Sequence, residues 1–588
     1  MPKKNRIALL SGALLLIAAS SSGAAQDQVR IARVLSAETA EKEYLHVYNW
    51  EDYIQDDEDL NEDGDTDDEG EQGLVTQFEE YMALKGRNVT IIYDKFDTNE
   101  SMLSQLQVGG RSYDLICPSD YIIQKMIRED LIQPYDEGST PNYDKYVSPF
   151  VLNKIDSISV DGEQGIVGRY ARGYMWGTLG LLYNPGFSSV EARGITPLEM
   201  QTDMHSWLSL WEDKYDNLLA IKDSMRDTYA VGIMKAYDQD FVIDGKSYEG
   251  FSTLKQRHDS GEYDDDTYNS KVSEIFNLCD DTTLERVGYE LQDLRDNAYG
   301  FEVDSGKTDM AQGKKFAINV AWSGDAAFAM DQADEINAAN EGKEGFEPTI
   351  LKYSLPDTGA NIWFDGWVIP KNAPNKKLAE EFVDFLSRPE NAAINMNYIG
   401  YTPVIAGDDI LDLVLSWYDL RYDEESGQVD PSFLEGLTQV DSADVDTLSD
   451  EEKESSYYTK DISYFFEGTL TDHVPTDAVF ALLASEKDRQ FDTQYPDAKV
   501  LPGLAVMADF GDQTDALLSM WEDVKNTTLP IWAYVTLLLL VLLAIGLSVF
   551  LKVKKRNTLR RRRERKEGRQ LLEKRSLYCK GLLTDQLD

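Results

Sequence analysis

The sequence is poor in the residues and motifs on which most enzymes and metal sites depend. Its 588 residues include three cysteines, too few for a disulfide framework, and four histidines. The histidines show no metal-ligand spacing: His46, His205, His258 and His473. The sequence also lacks a G-x-S-x-G elbow and a glycine-rich phosphate loop after a strand. Catalysis therefore has no evident nucleophile or base, and we expect neither an enzyme nor a resident cofactor.

Positive charge is scarce throughout the body of the chain. The net charge is -49, and residues 27–551 carry 40 basic against 101 acidic side chains. Such a surface repels nucleic acid, which we exclude as a partner, and it raises the local concentration of cations. Solubility or a salty habitat would explain most of this charge equally well, so the charge does not identify a ligand.

The N-terminus has the pattern of an export signal. Lys3, Lys4 and Arg6 precede an apolar run that ends in small residues, with a cleavage site near Ala24 or Ala25. No cysteine follows the apolar run, which excludes a lipid anchor there. We predict a signal peptide over residues 1–25, and hence an exported protein.

A second apolar run lies near the C-terminus. Residues 529–551 contain no charge, and a helix of that length spans about 35 Å, enough to cross a bilayer. Residues 552–588 then hold 14 basic and five acidic side chains. By the positive-inside bias, the sequence predicts a single-pass membrane helix with a basic cytoplasmic tail and an extracytoplasmic body.

Between the termini, the hydrophobic pattern is typical of an α/β protein. From residue 43 to about residue 370, short apolar strands alternate with amphipathic helical stretches, which indicates strands buried on both faces. Three acidic segments with weak periodicity look inserted into this pattern, at 56–72, 236–297 and 405–494.

The first of these segments resembles the start of a calcium loop. Its acidic residues from Asp59 fit D-x-[DN]-x-[DN]-G, but position twelve, where a bidentate Glu is needed, is Gly70. Calcium at 59–70 and a solvated acidic loop both remain open.

Aromatic residues stand beside carboxylates at the ends of several predicted strands. The pattern occurs in YNWEDY, CPSDY, VAWSGD and NIWFDGW. Ligands of open α/β sheets bind in the crevice outside the carboxyl ends of the strands. Aromatic faces attract ammonium groups, and carboxylates form charge-assisted hydrogen bonds with them. The pattern therefore predicts one cleft that binds a linear polyamine. At any single strand end, however, the aromatic residue could serve only to fill space beyond the strand, or the carboxylate only to cap a helix.

Taken in order, these blocks resemble the spermidine/putrescine-binding protein of bacterial polyamine ABC importers. The resemblance covers about residues 43–402 and includes DTNESMLSQL, WGTLGLLYN, KDSMRDTY and NYIGYTP. It implies a two-lobed periplasmic-binding-protein fold of type II with a hinge. It further implies a polyamine ligand and, as partners, the permease and ATPase subunits of an ABC importer. The choice between putrescine and spermidine stays open.

The resemblance also implies which side chains bind the ligand. They are Trp50, Asp52, Tyr53, Ser119, Tyr121, Asp227, Trp322, Asp325, Trp363, Asp365 and Tyr401. In this assignment the tryptophans and Tyr121 cover methylene groups, the four aspartates hold amines, and Ser119 and Tyr401 add hydrogen bonds.

With the resemblance, the chain divides into consecutive segments. We expect a signal peptide (1–25), a linker (26–42), a first part of lobe 1 (43–165), a first part of lobe 2 (166–362), a return to lobe 1 (363–404), an acidic insertion (405–494), a helical end of lobe 2 (495–528), a membrane helix (529–551) and a basic tail (552–588).

Two other functions are compatible with the same lobes. The protein could be a membrane-anchored sensor that reports a polyamine through its tail, although 552–588 contains no recognisable signalling module. Alternatively, a pair of cleft carboxylates could make it an extracellular glycoside hydrolase.

Overall fold

The computed structural model of the chain describes residues 37, 39–58, 70–109, 111–302, 305–526 and 531–579. The chain forms two compact units, Met1–Val524 and Lys525–Asp588, which are described separately. The predicted signal peptide and most of the linker lie outside the described residues, as do residues 59–69 of the predicted calcium loop.

One mixed sheet forms the centre of the first unit. Its strands, in chain order, are β1 (Lys42–Trp50), β2 (Asn88–Phe96), β3 (Leu115–Ile116), β4 (Ile132–Gln133), β5 (Ala171–Tyr183), β6 (Leu219–Lys222), β7 (Gly300–Glu302), β8 (Ile318–Trp322), β9 (Lys352–Ser354), β10 (Ala360–Pro370), β11 (Thr402–Pro403) and β12 (Leu504–Ala505).

Two long antiparallel strands, β5 and β10, connect the halves of this sheet. The strand order is β7-β6-β8-β5-β10-β3-β1-β2, with β9 and β11 paired to β5, and β4 and β12 paired to β10. On one side β1 pairs in parallel with β2 and β3, and on the other β6 pairs in parallel with β7 and β8. We call β1–β3 with their helices the first lobe and β6–β8 with theirs the second. The predicted two-lobed α/β architecture is confirmed.

Burial on both faces explains the apolar runs of the sequence. Every residue of β5 is buried, and so are Leu45 and Val47 of β1 and Val320 of β8. Strands buried on both faces, whether parallel as β1 or antiparallel as β5, show continuous hydrophobic stretches rather than an alternating pattern.

α-Helices make up much of the rest of the first unit. They are α1 (Leu74–Leu84), α2 (Asn99–Val108), α3 (Asp120–Arg128), α4 (Pro141–Tyr146), α5 (Pro149–Ser157), α6 (Val167–Tyr170), α7 (Ser188–Ala192), α8 (Pro197–Asp203), α9 (Met225–Ala236), α10 (Phe251–Asp259), α11 (Asp265–Phe276), α12 (Asp281–Asn297), α13 (Ser305–Ala311), α14 (Ser323–Asn340), α15 (Lys376–Leu386), α16 (Pro389–Ile399), α17 (Asp408–Tyr418), α18 (Asp450–Glu454), α19 (Ser463–Phe466), α20 (Gln490–Gln494) and α21 (Thr514–Lys525). Several begin at a polar cap. Thr98, for example, accepts a hydrogen bond from the Ser101 amide at 3.1 Å.

The segment 405–494, predicted to be an acidic insertion, is folded. It holds a three-stranded sheet of Thr438–Gln439, Ser456–Asp461 and Val479–Leu483, together with a two-stranded ribbon. Phe465 and Phe480 are fully buried there. The aromatic residues of this segment join the main core of the first unit, where Phe465 stacks on Trp176 of β5.

The second unit contains one long helix, α22 (Ile531–Cys579). Within the described part of the chain, no helix combines the length and apolar character needed to cross a bilayer. The membrane helix predicted over 529–551 is therefore not supported, and its first two residues lie outside the described residues. In α22 the apolar run continues without a break into the basic stretch that follows Leu551.

Gly180 of β5 provides a test of how closely the second lobe packs. A Cβ at this position would lie 2.5 Å from the Tyr353 hydroxyl and 2.7 Å from the Ser354 carbonyl oxygen. Because that carbonyl is backbone, we expect Gly180→Ala to lower the free energy of unfolding by about 1 to 3 kcal/mol in urea titrations. Gly300→Ala, whose Cβ would meet nothing within 4 Å, is the control and should change it by under about 0.5 kcal/mol. Equal effects of the two substitutions would contradict the packing argument.

Candidate functional site

Asp365 is a buried carboxylate at a bulge in β10. The strand register shifts between Asp365 and Gly366, and the Asp365 side chain is turned toward the first lobe. Its carboxylate accepts hydrogen bonds from the hydroxyls of Tyr53, at 2.8 Å, and Ser119, at 2.7 Å. Burial raises the pKa of Asp365 to about 6, and the charge of Asp227 adds to this effect, although the two hydroxyls oppose it. At neutral pH the group is a poorly solvated anion.

Asp325 is a second buried carboxylate, placed by the second lobe. It lies in the first turn of α14, which begins directly after β8 ends. One oxygen accepts from the Tyr401 hydroxyl at 3.0 Å and lies 3.4 Å from Lys307 Nζ, and the other lies 3.2 Å from Lys222 Nζ. Burial opposes its ionisation, but the two lysines outweigh burial, so the pKa of Asp325 is below its usual value.

Trp322 connects a third carboxylate to this cluster. Its indole Nε1–H donates to Asp227 Oδ1 at 3.1 Å, and the ring face lies 4.3 Å from Lys222 Nζ. Burial raises the pKa of Asp227, against the hydrogen bonds from Ser224 and Trp322. Trp322 therefore presents its edge to an anion and its face to a cation, as the charge distribution of an aromatic ring favours.

A cluster of aromatic rings lies between Asp365 and Asp325. The rings of Tyr53 and Tyr401 meet edge to face at 5.3 Å, and Trp363 lies 5.9 Å from Tyr401. Two glycines permit this packing, because a Cβ at Gly177 would lie 2.6 Å from the Trp363 ring and one at Gly324 would lie 2.4 Å from the Tyr401 ring.

Asn99 and Arg226 complete the arrangement between the lobes. The Asn99 side-chain amide donates to Ser119 Oγ at 3.0 Å and to the Tyr121 hydroxyl at 2.9 Å. The guanidinium of Arg226 on α9 lies 3.9 Å from the centroid of the Tyr121 ring on α3. Helices of both lobes therefore meet at Tyr121.

These contacts form a circuit of side chains that closes through the backbone between Arg226 and Asp227, and we call it the cleft network. It consists of Asp227, Trp322, Lys222, Asp325, Tyr401, Tyr53, Asp365, Ser119, Asn99, Tyr121 and Arg226. Trp363 joins it through Tyr401. Most of the side chains predicted from the sequence are thus brought together, and carboxylates alternate with aromatic rings around the circuit.

Two predicted residues lie apart from these contacts. Trp50 packs against Phe96 at 4.6 Å, at the end of the β1–β2 pair. Asp52 follows in a left-handed conformation, with φ 49°, and its side chain is 96% exposed, 4.0 Å from Lys95. The turn directs Asp52 into solvent and away from Asp365.

Sequence reasoning missed four members or neighbours of the network: Asn99, Asp120, Lys222 and Arg226. Lys222 and Arg226 both stand in the quoted stretch KDSMRDTY, which begins at the last residue of β6. The signal was therefore present, but the prediction considered only acidic and aromatic residues at strand ends.

The structure also bears on metals and thiols. Among the described residues, no group of three or more His, Cys, Asp or Glu side chains is arranged to hold a metal ion. Cys117 is buried and Cys279 is partly buried, and both are free thiols. Burial raises the pKa of each thiol.

Comparison with known proteins defines the class to which this fold and cleft belong. Residues 73–407 match the family described as bacterial extracellular solute-binding protein. The chain belongs to this family. Its members bind solutes, which confirms the prediction that the protein is not an enzyme.

The relatives have narrower descriptions. The spermidine/putrescine-binding periplasmic protein of Salmonella typhimurium is 25% identical over 378 residues, covering 64% of this chain and 82% of the relative. The putrescine-binding periplasmic protein of Escherichia coli K12 is 26% identical over 376 residues, covering 63% and 82%. A solved spermidine/putrescine ABC transporter substrate-binding protein of Streptococcus pneumoniae has a TM-score of 0.46 and 22% identity, covering 82% of this chain and 98% of that one.

The buried carboxyl group of Asp120 should make the stability of the fold depend on pH. Its side chain is 2% exposed and accepts a hydrogen bond from the Phe364 amide at 3.2 Å. Burial raises its pKa to about 8, whereas an unfolded chain has about 4. The folded protein thus holds a proton that the unfolded chain loses, so the free energy of unfolding should fall as pH rises from about 4 to 8, by at most about 1.4 kcal/mol per unit.

Asp120→Asn should flatten this pH dependence in urea titrations at pH 5 to 8. The exposed Asp52→Asn serves as the control and should leave the slope unchanged. An identical slope in wild type and Asp120→Asn would refute the assignment.

Proposed function

We propose that this protein captures a polyamine outside the cytoplasm and delivers it to an ABC importer made of permease and ATPase subunits. The observation that carries the proposal is the cleft network, in which carboxylates and aromatic rings from both lobes form one circuit. The family membership supports solute capture, and the descriptions of the relatives support the polyamine class.

The chemistry of the cleft suits an extended cation. Asp365 and Asp227 offer carboxylates for charge-assisted hydrogen bonds to ammonium groups. The rings of Trp322, Trp363 and Tyr401 offer faces for methylene groups and for cations, at about 0.5 to 2 kcal/mol per contact. An anionic or uncharged ligand would leave the two carboxylates buried without a cation.

The proposed ligand residues are those of the sequence resemblance. Ser119 and Tyr53 orient Asp365, and Tyr121 covers the ligand from the first lobe. Trp50 and Asp52 remain proposed ligand residues on the resemblance alone.

We propose that the lobes close about the long strands β5 and β10. The first lobe would comprise 43–165 and 363–404, and the second 166–362 with 495–528. The segment 405–494 would be an insertion between them.

Calorimetric titration of the purified full-length chain with putrescine, spermidine, spermine and sucrose tests the function. We expect saturable 1:1 binding of at least one polyamine and none of sucrose. Failure of all three amines to bind, or binding of sucrose alone, would overturn the proposal.

Asp365→Asn should weaken polyamine binding at pH 8 by about 1.5 to 3 kcal/mol, the usual worth of a hydrogen bond to a charged group. The substitution keeps the shape of the side chain and its acceptor for Ser119, but removes the charge. Glu163→Gln, a surface change paired only to Arg169, is the matched control and should leave Kd unaltered. Equal Kd values for wild type and Asp365→Asn would remove Asp365 from the site.

The affinity should also depend on pH. Asp365 has a pKa of about 6 in the free protein, and below that pH a ligand must displace its proton. Kd should therefore rise as pH falls through 6, approaching about tenfold per unit, since the amines stay protonated throughout. Titrations between pH 4.5 and 8 should show this rise in wild type and lose most of it in Asp365→Asn. A flat profile in wild type would contradict an ionised Asp365 partner.

A further inference from the structure

Lys222 is a buried cation inside the proposed ligand cleft. It is the last residue of β6, and its side chain is 1% exposed. Its Nζ lies 3.2 Å from Asp325, 3.1 Å from Glu302 and 4.3 Å from the centroid of the Trp322 ring. Burial opposes its protonation, but the two carboxylates outweigh burial and raise the pKa of Lys222, so the group is an ammonium.

The backbone fixes this position. β6 and β7 run in parallel with Lys222 directly opposite Glu302, and Asp325 lies in the first turn after β8. Glu302 Oε2 in turn accepts a hydrogen bond from the Gly306 amide at 2.8 Å. The lysine therefore sits among groups held by three consecutive strand ends of the second lobe.

The surroundings of Lys222 Nζ are those expected for an amine of the ligand. A carboxylate, a second carboxylate and an indole face are the groups that bind a primary ammonium. Here the ammonium is supplied by the chain itself, so this part of the cleft is already occupied by a cation.

The charges of this cluster are balanced without a ligand. Two lysines, Lys222 and Lys307, face two carboxylates, Asp325 and Glu302. Burial also raises the pKa of Glu302, which makes the cluster no more negative than neutral. An additional ligand ammonium would find no net negative charge here.

The other two carboxylates of the network differ. Within the described part of the chain, neither Asp365 nor Asp227 has a lysine or arginine nitrogen within 4.0 Å. The Asp365 carboxylate accepts from two hydroxyls and that of Asp227 from the Trp322 indole, and Lys222 and Arg226 act on Asp227 only from a longer distance. The cleft thus keeps two carboxylates without a direct ion pair, which match two ligand charges.

We propose that Lys222 determines specificity by permanently filling one cation subsite, so that the cleft accepts a diamine and discriminates against a triamine. This inference rests on the proposed polyamine function. A third ligand amine would have to displace Lys222 or lie beside it without a counter-charge, and both are unfavourable.

Titration of wild type and Lys222→Met with putrescine and spermidine tests the proposal. Methionine keeps most of the volume but removes the ammonium, which frees Asp325 and Glu302 for a third ligand amine. Wild type should bind putrescine at least tenfold more tightly than spermidine, and Lys222→Met should shift that ratio toward spermidine by at least tenfold. Lys315→Met, which removes a partly exposed lysine paired to Asp309 outside the network, should leave the ratio unchanged.

Lys222→Met leaves two carboxylates close together, so it could fail to fold. In that event the same titrations are made with Lys222→Gln, which also removes the ammonium but keeps an amide that can donate a hydrogen bond to one of the two carboxylates. A purely structural role of Lys222 would weaken both ligands equally and would not move the ratio.

The outcomes distinguish a failure of the proposed function from a failure of the proposed role of Lys222. If wild type binds none of the polyamines, the proposed function fails. If wild type binds polyamines but prefers spermidine, or if the ratio is the same in the folded Lys222 variant, the role of Lys222 is refuted and the proposed function stands.

Discussion

A carboxylate taken out of water must be compensated by donors or by a cation, and the cleft of this protein meets that requirement in two ways. Among the described residues, Asp365 accepts hydrogen bonds from two neutral hydroxyls, those of Tyr53 and Ser119, and has no ion pair. Asp325 is compensated by lysines. The pKa values of the two groups differ accordingly: the pKa of Asp365 is above its usual value, and the pKa of Asp325 is below it. A cationic ligand gains most at the carboxylate that the protein has left partly uncompensated.

This electrostatic arrangement depends on close packing between rings and backbone. Tyr401 can reach Asp325 because Gly324 leaves room for its ring at the start of α14. Trp363 can approach β5 closely because Gly177 has no side chain. The Tyr401 hydroxyl therefore reaches a carboxylate, and the Trp363 ring reaches its place beside Tyr401, because two positions lack a Cβ. Each of these close contacts depends on one glycine, and the local sequence pattern does not show which glycines are needed in this way.

Much of this fold could be predicted from the sequence because buried parallel strands leave a strong hydrophobic signal. The end of β8 could be predicted too, and it brought Trp322 and Asp325 to the cleft. Asp365 was expected at a strand end, and that expectation was wrong: it lies within β10, where a bulge turns its side chain toward the first lobe. The pattern could not show which way a side chain points after its strand ends. Asp52 follows β1 as closely as Asp325 follows β8, but a left-handed backbone turns it into solvent.

Contacts between residues that are far apart in the sequence could not be predicted either. Lys222 and Glu302 are distant in the chain and become neighbours only through the register of β6 and β7. The segment 405–494 shows weak periodicity because the strands of its sheet are two to six residues long and bury at most one aromatic side chain each. The long apolar run near the C-terminus did form a helix, but an apolar pattern does not determine where that helix ends. In the structure it continues to Cys579.

The cleft network also constrains how the lobes can separate. β5 and β10 pair along most of their length and run through both lobes, so a hinge that preserves them must break side-chain contacts instead. The contacts that join α3 to α9 are the stacking of Arg226 on Tyr121 and the buried carboxylate of Asp509, which lies 2.8 Å from Arg128 and 3.8 Å from Arg226. Arg226 takes part in both, and it adjoins Asp227 in the chain. Separating α3 from α9 would therefore break the contacts of Arg226 with the Asp509 carboxylate and with the Tyr121 ring together. In the proposed function, a bound amine beside Tyr121 would replace the contact with the ring but not the ion pair with Asp509. Any coupling of ligand charge to lobe closure would therefore run through the Tyr121 ring.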